Sequence, residues 1–166
     1  MAFKTIGILG GMGPAATAHF YQQIIAYCQT KYDAVQDTDF PKIIIYSLPL
    51  EGFDETGIIN HEKVKQQLQQ GIKILENAGA NFIVMPCNTI HKFHEFLQEN
   101  SQIHILNIIE EISKAIQGTP FLLASESSIQ NNLFPNTIKP SKKLQQQTTM
   151  LIEQVMKGKV NQNLKV

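Results

Sequence analysis

Short apolar runs alternate with longer amphipathic segments along most of the chain. Residues 4–9 predict a buried strand, and residues 14–30, with proline in the first turn, predict a helix. A second strand is predicted at Ile43–Ser47. At 61–78 apolar residues recur at helical spacing, and Gly79 follows where helices commonly end. This alternation predicts a parallel sheet covered by helices.

The same alternation continues past this helix and then weakens. The further predicted elements are a strand at 82–85, a helix at 90–99, a short strand at 104–106, a helix at 108–116 and a strand at 121–124. Residues 130–143 are polar and contain two prolines, which predicts a loop, and a last helix is predicted at 144–156. We expect an α/β domain over 1–106 and an incomplete second α/β domain over 107–166.

Composition narrows the class of protein. The 14 basic residues are all lysines, and 14 acidic residues balance them to a formal net charge of zero. Because basic runs are absent, we predict no nucleic-acid partner. The apolar stretches are too short to span a bilayer and the N-terminus lacks a signal-peptide pattern, which predicts a cytoplasmic protein with no membrane partner. Cys28 and Cys87 form no disulfide or zinc pattern, consistent with a reducing compartment.

A glycine-rich turn, Gly10-Gly11-Met12-Gly13-Pro14, joins the first strand to the first helix. Such glycines let backbone amides approach an anion at a helix N-terminus. The turn also fits the loose dinucleotide pattern G-x-G-x-x-A, but the second strand ends at Ser47 without the acidic residue that this pattern requires. We therefore predict no nucleotide cofactor. A tight turn without a ligand is the alternative.

Cys87 lies in a second turn, between an apolar strand and a helix, where ligands bind in open α/β sheets. The helix dipole would favour its thiolate, which can act as a base or a nucleophile. The alternative is an inert buried cysteine with Asn88 or Thr89 capping the helix. We expect His91 to orient substrate or stabilise the thiolate, and a capping or surface role is the alternative. Because no carboxylate cluster lies near it and His94, we predict no metal site.

Two segments, TIGILGGMGPAAT at 5–17 and AGANFIVMPCNTIH at 78–91, closely resemble aspartate/glutamate racemases. The resemblance implies two similar α/β domains with a cleft between them, and racemisation without a cofactor. In that chemistry one cysteine removes the α-proton and a second returns a proton to the opposite face. Cys87 matches the first thiol, Asn88 and Thr89 match substrate-binding residues, and Met12 and Gly13 match the loop lining the cleft.

Further residues complete the predicted site. Ser125 and Ser128 correspond to the family's hydroxyl-rich loop and are candidates to bind an α-carboxylate. Ser47, at the end of the second strand, is added as a substrate-binding candidate. The expected ligand is a small amino acid or carboxylate.

The sequence also departs from the family pattern. The family's second cysteine follows a late strand, and this sequence ends at Val166 after the helix expected to precede it. We therefore expect the second acid/base to be missing and racemisation to be impaired. Asp54-Glu55-Thr56 stands where the family often has Asp-Arg-Thr, which disfavours acidic substrates.

Several functional alternatives follow from a single thiol. It could exchange an α-proton without inversion, decarboxylate a substrate or isomerise it. The rival hypothesis is a catalytically silent racemase-like protein that binds a small carboxylate ligand or a partner. We also expect a homodimer in which a second copy covers the exposed sheet edge.

Overall fold

The structure, a computed structural model, describes residues 3–54 and 57–159. The strands in these residues are β1 (Ile6–Gly10), β2 (Ile43–Ser47), β3 (Phe53–Asp54), β4 (Gly57–Ile58), β5 (Phe82–Val84) and β6 (His104–Ile105). β2, β1, β5 and β6 form one parallel sheet in that order. The parallel α/β architecture predicted from the sequence is confirmed.

Helices connect the strands and cover both faces of the sheet. They are α1 (Pro14–Tyr32), α2 (His61–Asn77), α3 (His94–Glu99), α4 (Ile108–Ala115), α5 (Glu126–Gln130) and α6 (Lys142–Met156), with 3₁₀ turns at Asp37–Asp39 and Thr89–Phe93. The helix predicted at 90–99 is therefore split into a 3₁₀ turn and α3. Within the described part of the chain, no helix is long and apolar enough to cross a membrane.

The main core lies between the sheet and α2. Asn60 begins this helix by accepting a hydrogen bond from the Lys63 N–H. The apolar stripe predicted from helical spacing is fully buried there, and its residues are Val64, Leu68, Ile72 and Leu75. They pack with Leu9, Ile83 and Ile105 of the sheet in one hydrophobic cluster. Burial of each such side chain stabilises the fold by about 1.5–3 kcal/mol.

The opposite face of the sheet is covered less completely. α1 buries Thr17 and Cys28, whereas Tyr21 on the same helix is 40% exposed. Ile45 of β2, which forms one edge of the sheet, is 42% exposed. An open apolar groove of about 620 Å³ runs between α1 and the sheet. This face thus presents a continuous apolar surface to solvent.

A short antiparallel hairpin, β3 with β4, follows the second strand of the sheet and was not predicted. Asp54, the first residue of the Asp54-Glu55-Thr56 segment on which the expectation about acidic substrates rests, is the last residue of β3. Residues 55 and 56 lie outside the described residues.

The strand predicted at 121–124 is wrong. Phe121 forms only a single parallel bridge to Ile138, and the sheet ends at β6. Pro120 has no N–H to extend the pairing, and Phe121 and Leu123 are exposed. The apolar run therefore forms an extended segment that leads into α5.

Candidate active site

The two turns singled out from the sequence lie at the carboxyl edge of the sheet. β1 pairs with β2 up to Gly10 and Ser47, and with β5 up to Ile8 and Val84. The glycine turn and the Cys87 turn therefore leave adjacent parallel strands at the same edge. Ser47 is at this edge too, but one strand further away from Cys87.

Cys87 lies in a tight turn after β5. Its N–H donates to the carbonyl of Met85 at 2.8 Å, across Pro86. The 3₁₀ turn that follows directs the N–H groups of Thr89 and Ile90 at the thiol. Cys87 is partly buried and packs against the edge of the main core.

The resting protonation of Cys87 differs from the sequence-based prediction. Burial raises the pKa of its thiol, and this effect outweighs the opposing hydrogen bonds from the backbone N–H groups of Ile90 and Thr89. The prediction considered only the helix dipole, whose influence is modest beside a short 3₁₀ turn. Cys87 therefore rests as a neutral thiol.

Three hydroxyl groups form a compact cluster next to the Cys87 turn. The Thr89 Oγ1 lies 3.2 Å from the Ser125 Oγ and 3.3 Å from the Ser128 Oγ, and the two serine oxygens are 2.9 Å apart. Ser125 also caps α5 by accepting from the Ser128 N–H. The structure thus brings the predicted Ser125 and Ser128 into contact with Thr89. Hydroxyl groups that can rotate can donate to a carboxylate.

His91 is buried and both of its ring nitrogens are engaged by backbone groups. Its Nδ1 lies 2.8 Å from the Cys87 carbonyl oxygen, and its Nε2 accepts from the Ile108 N–H at 3.3 Å. Burial lowers the pKa of this imidazole, which favours the neutral form. Contrary to the prediction that His91 orients substrate, its polar atoms bind the main chain.

The remaining predicted site residues differ in how far they are buried. The side chain of Asn88 does not cap the 3₁₀ turn and is partly buried beside Cys87. Met12 is 8% exposed and its side chain packs in the main core. Gly13 is partly buried at the start of α1, and Ser47 is exposed.

Hydrogen bonds to neighbouring residues fix the conformation of the glycine turn. The Gly11 N–H donates to the Thr17 Oγ1 at 3.0 Å, and the Leu48 N–H donates to the Gly10 carbonyl at 3.0 Å. The amide of Gly11 is thus already used, which argues against the predicted anion site at this amide. Cys28, 3% exposed in α1, packs in the interior.

Two supporting side chains were missed by the sequence analysis. The His94 Nε2 donates to the Ile105 carbonyl at 2.8 Å, and its ring stacks on that of His91. The Gln145 Nε2 donates to the Ala124 carbonyl at 3.1 Å, directly before the hydroxyl cluster. The i, i+3 spacing of His91 and His94 was the sequence feature that could have indicated the role of His94, and Gln145 had no such feature. Over residues 3–54 and 57–159, no group of three His, Cys, Asp or Glu residues is placed to hold a metal ion.

A family model and a curated relative both indicate similarity to amino-acid racemases. The family model for Asp/Glu/Hydantoin racemase matches residues 9–126. The broad specificity amino-acid racemase RacX of Bacillus subtilis is 36% identical over 137 residues, which are 81% of this chain. The match covers 60% of the length of that relative.

Solved structures of similar fold include two aspartate racemases or their homologues. An aspartate racemase homologue from Pyrococcus horikoshii aligns with a TM-score of 0.72 at 25% identity, over 91% of this chain and 70% of the other. The aspartate racemase of Picrophilus torridus aligns with a TM-score of 0.68 at 24% identity, over 94% of this chain and 76% of the other.

Proposed function

Because this chain belongs to the Asp/Glu/Hydantoin racemase family, we propose that it transfers the α-proton of a small amino acid through Cys87, without a cofactor. The observation that carries this proposal is the position of the partly buried Cys87 two residues before Thr89, whose hydroxyl lies in one cluster with those of Ser125 and Ser128. An acid/base group next to a site for a carboxylate is the arrangement that this reaction requires.

The chemical step concerns one face of the substrate. A thiolate at Cys87 removes the α-hydrogen as a proton, and the electron pair of the C–H bond stays on the α-carbon. The new thiol exchanges its proton with solvent and then returns one to the carbon. Return to the same face restores the original enantiomer, whereas protonation of the opposite face inverts it.

Substrate binding would adjust the protonation of Cys87. Without substrate, burial raises the pKa of the Cys87 thiol. Ionisation of this thiol therefore needs a nearby positive charge or hydrogen-bond donor. The α-ammonium group of an amino acid supplies such a charge when its carboxylate is bound by the hydroxyl cluster. We therefore expect substrate to lower the pKa of the Cys87 thiol.

The proposed substrates are amino acids with uncharged side chains. The sequence contains no arginine, which is the usual bidentate partner of a carboxylate, and hydroxyl groups surround the proposed site. One carboxylate can be bound by these hydroxyls, but a second would lack the bidentate arginine that usually binds it.

The experiment that tests this proposal is α-proton exchange in deuterium oxide. A panel of L- and D-amino acids is incubated with protein, loss of the α-proton signal is followed by NMR, and inversion is followed by chiral chromatography. We compare native protein with Cys87→Ala and with Cys28→Ala, a matched control that removes the other, buried thiol. Exchange should be lost in Cys87→Ala and retained in Cys28→Ala.

The alternative of a silent binding protein predicts a different result. If folded native protein exchanges no amino acid, the catalytic proposal is wrong. Chemical-shift changes at Thr89 and Ser128 on titration with amino acids would then support ligand binding without catalysis.

A further inference from the structure

The imidazole of His91 joins two parts of the chain that flank the proposed site. One ring nitrogen contacts the carbonyl of Cys87, in the turn after β5, and the other contacts the N–H of Ile108, at the start of α4. These contacts link positions that are 21 residues apart in sequence but adjacent at the carboxyl edge of the sheet. The ring therefore acts as a bridge between two main-chain segments.

The hydrogen-bond partners determine the tautomer of His91. A carbonyl oxygen can only accept, so the Nδ1 that faces Cys87 must carry a proton. A backbone N–H can only donate, so the Nε2 that faces Ile108 must offer its lone pair. The neutral imidazole protonated at Nδ1 satisfies both contacts, whereas a charged imidazolium would lose the second one and would donate instead to the Leu106 backbone, the other main-chain group that acts on this ring.

His94 supports the same bridge from the next turn. Its ring is parallel to that of His91 within 6°, with the centroids 6.1 Å apart. Its Nε2 donates to the carbonyl of Ile105, which ends β6 just before α4. Through these hydrogen bonds, the two stacked rings connect the Cys87 turn with the segment between β6 and α4.

We propose that His91 is a positioning residue of this site, which holds the main chain at Cys87 through its neutral, Nδ1-protonated ring and thereby fixes the direction of the thiol. This inference rests on the proposed function of Cys87. His91 acts through the Cys87 carbonyl and not on the substrate. A thiol displaced by about 1 Å loses on the order of 100-fold in rate.

The test uses two variants that differ in one contact. His91→Ala removes both hydrogen bonds. His91→Asn places an amide N–H near the position of Nδ1, so it keeps the bond to the Cys87 carbonyl and loses the bond to Ile108. His19→Asn, which changes an exposed histidine of α1, is the matched control. Circular dichroism and thermal melting establish that each variant is folded.

In the exchange assay, His91→Ala should lower kcat by about 100-fold with little change in KM, because only the geometry of proton transfer is lost. The kcat of His91→Asn should be about tenfold higher than that of His91→Ala. His19→Asn should match native protein. Equal activity of His91→Ala and native protein would overturn the proposal, as would equal losses in His91→Ala and His91→Asn.

Two readouts do not depend on catalysis, so they separate this proposal from the proposed function. Nitrogen-15 NMR of the imidazole should show the Nδ1-protonated, neutral form at neutral pH. The pH profile for alkylation of Cys87 by iodoacetamide, followed on its own peptide, should shift in His91→Ala and return towards native in His91→Asn. An Nε2-protonated or charged ring, or an unchanged alkylation profile, would refute the positioning role even if the native protein exchanges no substrate.

Discussion

Replacement of Gly11 by alanine tests the close approach between the glycine turn and the end of β2. Gly11 has φ of +93°, and a Cβ built on it would lie 2.6 Å from the Leu48 N and 2.9 Å from the Leu48 C, and closer still to the Leu48 carbonyl oxygen. All three are backbone atoms, so no side-chain rotation can relieve the overlap. Gly79 provides the matched control, because it has φ of +90° with no atom within 4 Å of the built Cβ.

The expected magnitudes follow from these two environments. An L-residue at positive φ costs about 1–2 kcal/mol, and the lower entropy of the unfolded alanine chain returns about 0.4–1 kcal/mol. Gly79→Ala should therefore lower the free energy of unfolding by about 1 kcal/mol. Gly11→Ala carries the same cost plus overpacking of about 1–3 kcal/mol, which totals about 3 kcal/mol.

Equilibrium unfolding in urea measures both variants on one scale. The denaturant dependence of the free energy should be unchanged, so the difference appears in the midpoint. Equal destabilisation by Gly11→Ala and Gly79→Ala would refute the reasoning, because it would mean that Leu48 does not restrict the glycine turn.

Three further predictions concern charge, hydroxyl pairing and association. Because burial lowers the pKa of His91 below its ordinary value of 6.5, the free energy of unfolding should fall as pH drops below that value, and His91→Gln should flatten this dependence. Ser128→Ala removes a hydroxyl of a 1% exposed residue from two partners and should cost about 1–3 kcal/mol in urea unfolding, whereas the exposed Ser113→Ala should cost less than about 0.5 kcal/mol. The homodimer expected from the sequence should give twice the chain mass of 18.7 kDa by light scattering, and Ile45→Lys on the exposed edge strand should reduce it to the monomer; a native monomer would contradict it.

The elements predicted best are those whose apolar pattern matches one buried face. The stripe of α2 is regular and packs on the sheet, so its boundaries could be predicted to within one residue. β2 was predicted with its observed bounds because Pro41 and Pro49 each stand two residues outside its ends. In these segments local pattern and tertiary packing agree.

The failures have a common physical origin in tertiary contacts. The 3₁₀ turn after Cys87 depends on bonds from His91 to main-chain atoms, which no periodicity reveals. The thiol pKa depends on how completely the folded chain covers Cys87, so the helix dipole alone predicted the wrong direction. The segment at 121–124 has the composition of a strand, but its bridge is to Ile138 and it does not pair with the edge of the sheet at β6.

The hydroxyl cluster has a consequence for the newly made chain. The contact between Thr89 and Ser128 spans 39 residues, so the ribosome releases Cys87 well before it releases the residues that complete its surroundings. Until then the thiol is hydrated and has a lower pKa than in the folded protein. We therefore expect Cys87 to react faster with oxidants during synthesis than in the folded protein.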